Sequence, residues 1–244
     1  MSNNIYGYDP NEQTYSPYEG NASRSFPALM TKVYVWMTLA LAITGLTAFC
    51  VAENEALVFS LLSSRLTFWV LILAELGIVA WLSSRIMDMS FASAGILFGV
   101  YSLLNGVVLS SLVLVYTAES LASTFLITAG TFGAMSLIGA VTKRDLSGFG
   151  RFLFMALVGL IIASIVNIFL ASSGLSWGLS IAGILIFSGL TAYDTQKMKQ
   201  MLVQYESLGE ENLMKIALLC SLSLYLDFIN LFLYLLRFFG ARKD

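Results

Sequence analysis

A succession of long apolar runs, almost free of charge, limits what this chain can fold into. Seven runs can be marked: Leu29–Val51, Leu66–Ser84, Phe91–Tyr116, Leu121–Thr142, Phe152–Ala171, Trp177–Tyr193 and Ile216–Phe239. Each is near the ~20 residues that an α-helix needs to cross the hydrocarbon layer. Composition agrees: 58% of the 244 residues are hydrophobic and 11% charged, against roughly 25% charged in an ordinary soluble domain. The pattern predicts an all-α integral membrane protein with seven transmembrane helices.

Several function classes drop out. The net charge is −2, and no basic stripe interleaves with aromatics, so nucleic acid is not an expected partner. Cys50 and Cys220 sit in separate apolar runs, far from any CxxC spacing, which argues against a disulfide framework or zinc knuckle. Histidine is absent, removing Ser-His catalysis and histidine-ligated metal chemistry. Proton chemistry must then use carboxylates. The expectation is a non-enzyme without cofactor.

Residues 1–27 are rich in Asn, Ser, Tyr and acidic residues and hold all three prolines, Pro10, Pro17 and Pro27. They read as a disordered tail rather than a signal peptide, because the first apolar run begins only near Ala28. Residues 28–244 read as one transmembrane domain, whose short connections favour antiparallel neighbours. In a seven-span arrangement nine Lys and Arg residues fall on the amino-terminal side: Arg24, Lys32, Arg85, Lys143, Arg144, Arg151, Lys197, Lys199 and Lys215. Arg65, Arg237, Arg242 and Lys243 fall opposite. The positive-inside rule then makes the tail cytoplasmic and the carboxy terminus external. Small residues suggest close helix contacts, with Gly95 and Gly99 on span three and Gly130, Gly133 and Gly139 on span four.

Polar groups inside the spans are the candidate functional residues. An ionised side chain at bilayer depth costs at least ~2.5–3.5 kcal/mol and needs a proton, a partner or water. Glu75, Asp194 and Asp227 stand out. Glu75 reads equally well as an ion or proton site and as a protonated hydrogen-bonding group. On span seven, Ser223, Asp227, Asn230, Tyr234 and Arg237 recur at steps of four, three, four and three, one helical face. That stripe should face protein or water, which makes the last helix central in the bundle; Arg237 reads as snorkelling to the interface. Asp194 is either an interfacial carboxylate held by Lys197 or the partner of Asp227. Two close carboxylates cannot both ionise cheaply, so such a pair could titrate near neutral pH. One geometric condition applies: Asp194 lies three residues from Lys197 and Asp227 twelve from Lys215, about 4.5 against 18 Å of helix. The two meet only if span seven begins outside the bilayer or span six continues well past Lys197.

Four segments carry a family resemblance: Thr142-Lys-Arg-Asp-Leu-Ser147, Leu160-Ile-Ile-Ala163 with Asn167, Gly189-Leu-Thr-Ala-Tyr-Asp194, and Leu224-Tyr-Leu-Asp-Phe-Ile-Asn-Leu-Phe232. In this order, over Phe26 to the end, the chain resembles the Bax-inhibitor-motif family, specifically its bacterial YccA-like branch. The resemblance implies seven helices with the last surrounded by the other six, a bacterial plasma (inner) membrane setting and a pH-sensitive calcium leak. It also implies a proton-sensing aspartate pair at Asp194 and Asp227, a latching arginine at Arg85 and Glu75 along the pathway. Family members are further linked to a membrane-bound protease as partners or inhibitors.

Three readings follow. In a proton-gated calcium leak, Asp227, Asn230 and Glu75 would offer oxygen ligands to a hard cation, with Asp194 joining them transiently and Ser223 and Tyr234 lining the path. An intramembrane aspartyl protease also places one aspartate after a tyrosine and a second on the next helix. Its Gly-x-Gly and Pro-Ala-Leu signatures are missing: Leu224-Tyr-Leu precedes Asp227, and no proline follows Pro27. In a non-transporting regulator of another membrane protein, the carboxylates would be internal hydrogen-bond partners.

Overall fold

The computed structural model describes residues 17–54, 56, 58–60, 64–204 and 209–243, with side chains from residue 28 onward apart from 65 and 68. Seven long helices are formed among them: α1 (Pro17–Ala52), α2 (Arg65–Arg85), α3 (Phe91–Val115), α4 (Ala118–Val141), α5 (Ser147–Leu170), α6 (Ser173–Gln204) and α7 (Glu210–Phe239). Hydroxyl caps start four of them. Ser64 accepts from the Thr67 amide at 3.4 Å, Ser90 from Ser93 at 3.1 Å, Thr117 from Ser120 at 3.2 Å and Ser172 from Leu175 at 3.3 Å. Among the described residues, six segments are long and apolar enough to cross a membrane: Ala28–Ala52 of α1, and helices α3 to α7. Helix α2, with 21 residues, is about 30 Å long at ~1.5 Å per residue.

The boundaries differ from the hydropathy reading where polar residues extend a helix. Helix α1 starts at Pro17, inside the expected tail; proline is well suited to a first helical position. The remainder of that tail, residues 1–16, lies outside the described residues. Helix α6 runs eleven residues past Tyr193 to Gln204, and α7 begins six residues before Ile216. Polar helix at a membrane interface has water for its unpaired groups, and hydropathy does not register it.

Connections alternate between two ends of the bundle. At one end Lys215 of α7 donates to the Met87 carbonyl at 3.5 Å, and Lys199 of α6 to Ala140 at 3.3 Å. At the other, the segment after α7 is clasped to the α3–α4 turn. The Thr117 amide donates to Ala241 at 3.2 Å, Lys243 to Val115 at 2.9 Å, and Ala241 to the Ser120 hydroxyl at 2.9 Å.

Helix α7 is the axis, with α1, α3, α4 and α6 packed on it; α2 leans chiefly on α3 and α5 chiefly on α6. Of the six helices expected around the last, four pack extensively on it. In lipid, apolar surface gains nothing by facing another helix. Helix α5, apolar nearly all round, therefore stays peripheral, while the polar stripe of α7 draws it inside. Within its most apolar stretch 67% of α7 is buried, against 17% for α5. At two glycines the backbone of one helix approaches that of another too closely for a Cβ. A Cβ on Gly139 would overlap the Ala192 backbone, which seats α4 on α6, and one on Gly106 would overlap Thr47 and the Thr44 carbonyl of α1. Gly99, Gly130 and Gly133 meet open space, and Gly95 only the Trp36 ring at 3.7 Å. The small-residue spacing on spans three and four thus marked the right helices but, apart from Gly139, the wrong glycines.

Candidate functional site

The continuation of α6 past Lys197 satisfies the condition for the carboxylates to meet. Asp194 and Asp227 line one cavity of about 1180 Å³ between α5, α6 and α7, together with Tyr193, Lys197, Ser223, Asn230 and Tyr234. They are near enough for the charge of Asp194 to act on Asp227. Asp227 is 5% exposed and its Oδ2 has no hydrogen-bond partner. A buried acceptor in that state calls for a proton, a cation or water. The Asn230 amide donates to the Leu226 carbonyl at 2.7 Å, and the Phe187 and Tyr234 rings stack with centroids 5.7 Å apart. Arg237 is exposed.

Threonine and glutamine contacts hold α6 in this position. Thr195 shares a 3.0 Å hydrogen bond with Ser136 of α4, which also meets the Tyr34 hydroxyl of α1. Gln196 clamps the α4–α5 loop: its Nε2 donates to the Arg144 carbonyl at 2.8 Å, and its Oε1 accepts from the Leu146 amide at 2.8 Å. Gln196, two residues past the Gly189–Asp194 segment, thereby ties α6 to the Thr142–Ser147 segment. At the start of α5, Asp145 accepts from the Ser147 hydroxyl at 2.6 Å and its amide at 2.9 Å. These bonds hold its carboxyl below the ordinary aspartate range.

A family model described as "Inhibitor of apoptosis-promoting Bax1" matches residues 27–244. The chain belongs to the Bax-inhibitor-like membrane protein family. It is 50% identical over 214 residues to the inner membrane protein YbhL of Escherichia coli K12, covering 88% of this chain and 92% of that one. An uncharacterized protein of Rickettsia prowazekii is 46% identical, with 88% and 90% covered. An uncharacterized membrane protein of Streptococcus pyogenes is 35% identical, with 87% and 92% covered. The chain therefore sits in a bacterial branch of the family, as an integral membrane protein in contact with lipid.

Two site residues expected from the family pattern lie elsewhere. Arg85 is exposed at the end of α2 and pairs with Asp88 at 3.3 Å, three residues on, away from the aspartates. The basic side chains lining the cavity are Lys197 and Arg151. Glu75 is also apart. It contacts Asn105 of α3 and lies close to Tyr101 and Tyr225. Tyr225 precedes Asp227 by two residues, about 200° around a helix of 3.6 residues per turn, so the two polar clusters occupy opposite faces of α7. Glu75 Oε1 and Asn105 Oδ1 are buried without partners, while the Tyr225 hydroxyl bonds Thr44 at 2.7 Å. Asp194, Asp227 and Glu75 therefore do not form one ligand set, and no group of three or more His, Cys, Asp or Glu is gathered for a metal among the described residues. Arg151 entered the sequence reading only as a basic residue for sidedness. Its helical spacing with Gly148 and Met155, on the face of α5 that lines the cavity, was the available signal.

Proposed function

We propose that this protein is a pH-sensitive calcium leak, gated by protonation of Asp194 and Asp227, and not an enzyme. The observation that carries the reading is the shared cavity with its unpartnered Asp227 oxygen. Two carboxylates lining one cavity suit alternative occupation by protons or a hard divalent cation. Helix α2 is the seventh span in this reading. The excess of Lys and Arg at the end holding Lys143, Arg144, Lys197, Lys199 and Lys215 makes that end cytoplasmic, with the amino terminus, in a bacterial inner membrane. Ser223, Asn230 and Tyr234 belong to the path, with Glu75 a separate polar station.

The test is calcium flux into liposomes between pH of about 5 and 8 for wild type, Asp194→Asn and Asp227→Asn. Wild type should conduct with a pH dependence that each substitution flattens. No flux at any pH overturns the leak. Unchanged flux in both variants moves gating elsewhere and favours regulation of a membrane protease partner.

A further inference from the structure

The cavity beside the aspartates is shaped and charged for something larger than an ion. Its α5 wall carries Phe152, Phe154, Met155, Leu157 and Ile161, and its α6 wall Phe187 and Leu190. Arg151 and Lys197 stand at one end of these walls, both exposed. Neither makes an ion pair within 4.0 Å among the described residues. From Arg151 to Ile161 on α5, and from Lys197 to Phe187 on α6, is ten residues, about 15 Å of helix. That is half of the ~30 Å hydrocarbon core, the depth of one leaflet. The volume of about 1180 Å³ exceeds the roughly 300–1,000 Å³ of a drug-sized pocket.

We propose that this groove binds one anionic glycerophospholipid, its phosphate held by Arg151 and Lys197 and an acyl chain laid along α5 and α6 toward the bilayer midplane. A cationic mouth above an apolar trough one leaflet deep matches a phosphate joined to a hydrocarbon chain. The charge of Arg151 reaches Asp145 and that of Lys197 reaches Asp194, but neither carboxylate pairs with these cations within 4.0 Å among the described residues. Asp145 is bonded by Ser147, Asp194 lies about 4.5 Å deeper along α6 than Lys197, and Asp227 is buried behind it. The bound lipid would cover the lateral face of the aspartate cavity. The proposal does not depend on calcium conduction, and its test contains no flux measurement.

Native mass spectrometry of the full chain, released from detergent with dioleoylphosphatidylglycerol or dioleoylphosphatidylcholine, reads the site directly. Each basic side chain near an anionic headgroup contributes about a factor of five, so wild type should retain one phosphatidylglycerol about 30-fold more tightly than phosphatidylcholine. Arg151→Gln with Lys197→Gln should erase that preference. Lys143→Gln with Arg144→Gln, exposed at the same end but off the cavity lining, should keep it. Equal retention of the two lipids by wild type overturns the proposal. So does equal loss in both double variants, which would indicate a diffuse basic rim. Displacement of the lipid by chain-free glycerophosphoglycerol would overturn the role of the apolar walls.

Discussion

Replacing Gln196 by Leu removes the clamp between α6 and the α4–α5 loop while preserving side-chain bulk. Gln196 is buried, and two of its contacts are strong at 2.8 Å; a third, to the Thr142 carbonyl, is marginal at 3.5 Å. A hydrogen bond of this kind contributes about 1 kcal/mol net. Arg144 is exposed and Leu146 half-buried, so water can reach the groups left behind and the full desolvation penalty does not apply. The expected loss is therefore about 2 kcal/mol. Cys220 supplies the readout. It is buried, close to Asp194 and Lys197, whereas Cys50 is exposed and replaceable by Ser. Labelling of Cys220 by a thiol reagent then reports opening of the α6–α7 region. A loss of 2 kcal/mol corresponds to about 30-fold faster labelling. Gln196→Glu should be nearly as damaging, because it keeps the acceptor for Leu146 but turns an acceptor toward the Arg144 and Thr142 carbonyls. Labelling within twofold of the parent in both variants would refute the clamp.

Gly139→Ala should destabilise the bundle by about 1–3 kcal/mol, since its methyl meets Ala192 backbone that cannot swing aside, whereas Gly133→Ala meets open space and should be neutral. Thermal unfolding in detergent separates the two, and equal midpoints would contradict the α4–α6 contact. Asp145 adds a pH dependence. Its folded value lies below the ordinary 3.8, so its stabilisation is complete above 3.8 and is lost as pH falls through the folded value. The difference in unfolding midpoint between wild type and Asp145→Asn should therefore shrink between pH of about 5 and about 2; a constant difference would remove Asp145 from the linkage.

Much of the candidate site was legible along the chain. Ser223, Asp227, Asn230 and Tyr234 lie on one face of α7 because helical spacing is a local property, and all four line the cavity. Asp194 was legible as a candidate, but its meeting with Asp227 depended on how far α6 continues. Arg85 and Glu75 do not line the cavity, for a different reason. Each has the chemistry of a site residue, but Arg85 finds a partner three residues away and Glu75 finds Asn105 on a neighbouring helix. For Glu75, spacing along one helix cannot report which neighbour on another helix the side chain will meet, whereas the i,i+3 pairing of Arg85 with Asp88 can be read along the chain.

The sequence by itself determined the solvent, the helical class and the face of α7 that had to be hidden, since a long charge-poor run leaves the backbone few alternatives in lipid. Tertiary structure alone decided that four helices enclose α7, that α5 stands aside to leave a groove, and that Arg151 and Lys197 line it. The physical reason is that lipid and helix surfaces are similarly apolar, so hydropathy does not select neighbours. Shape does, at contacts such as Gly139 on Ala192 and Gly150 beneath the Tyr193 ring.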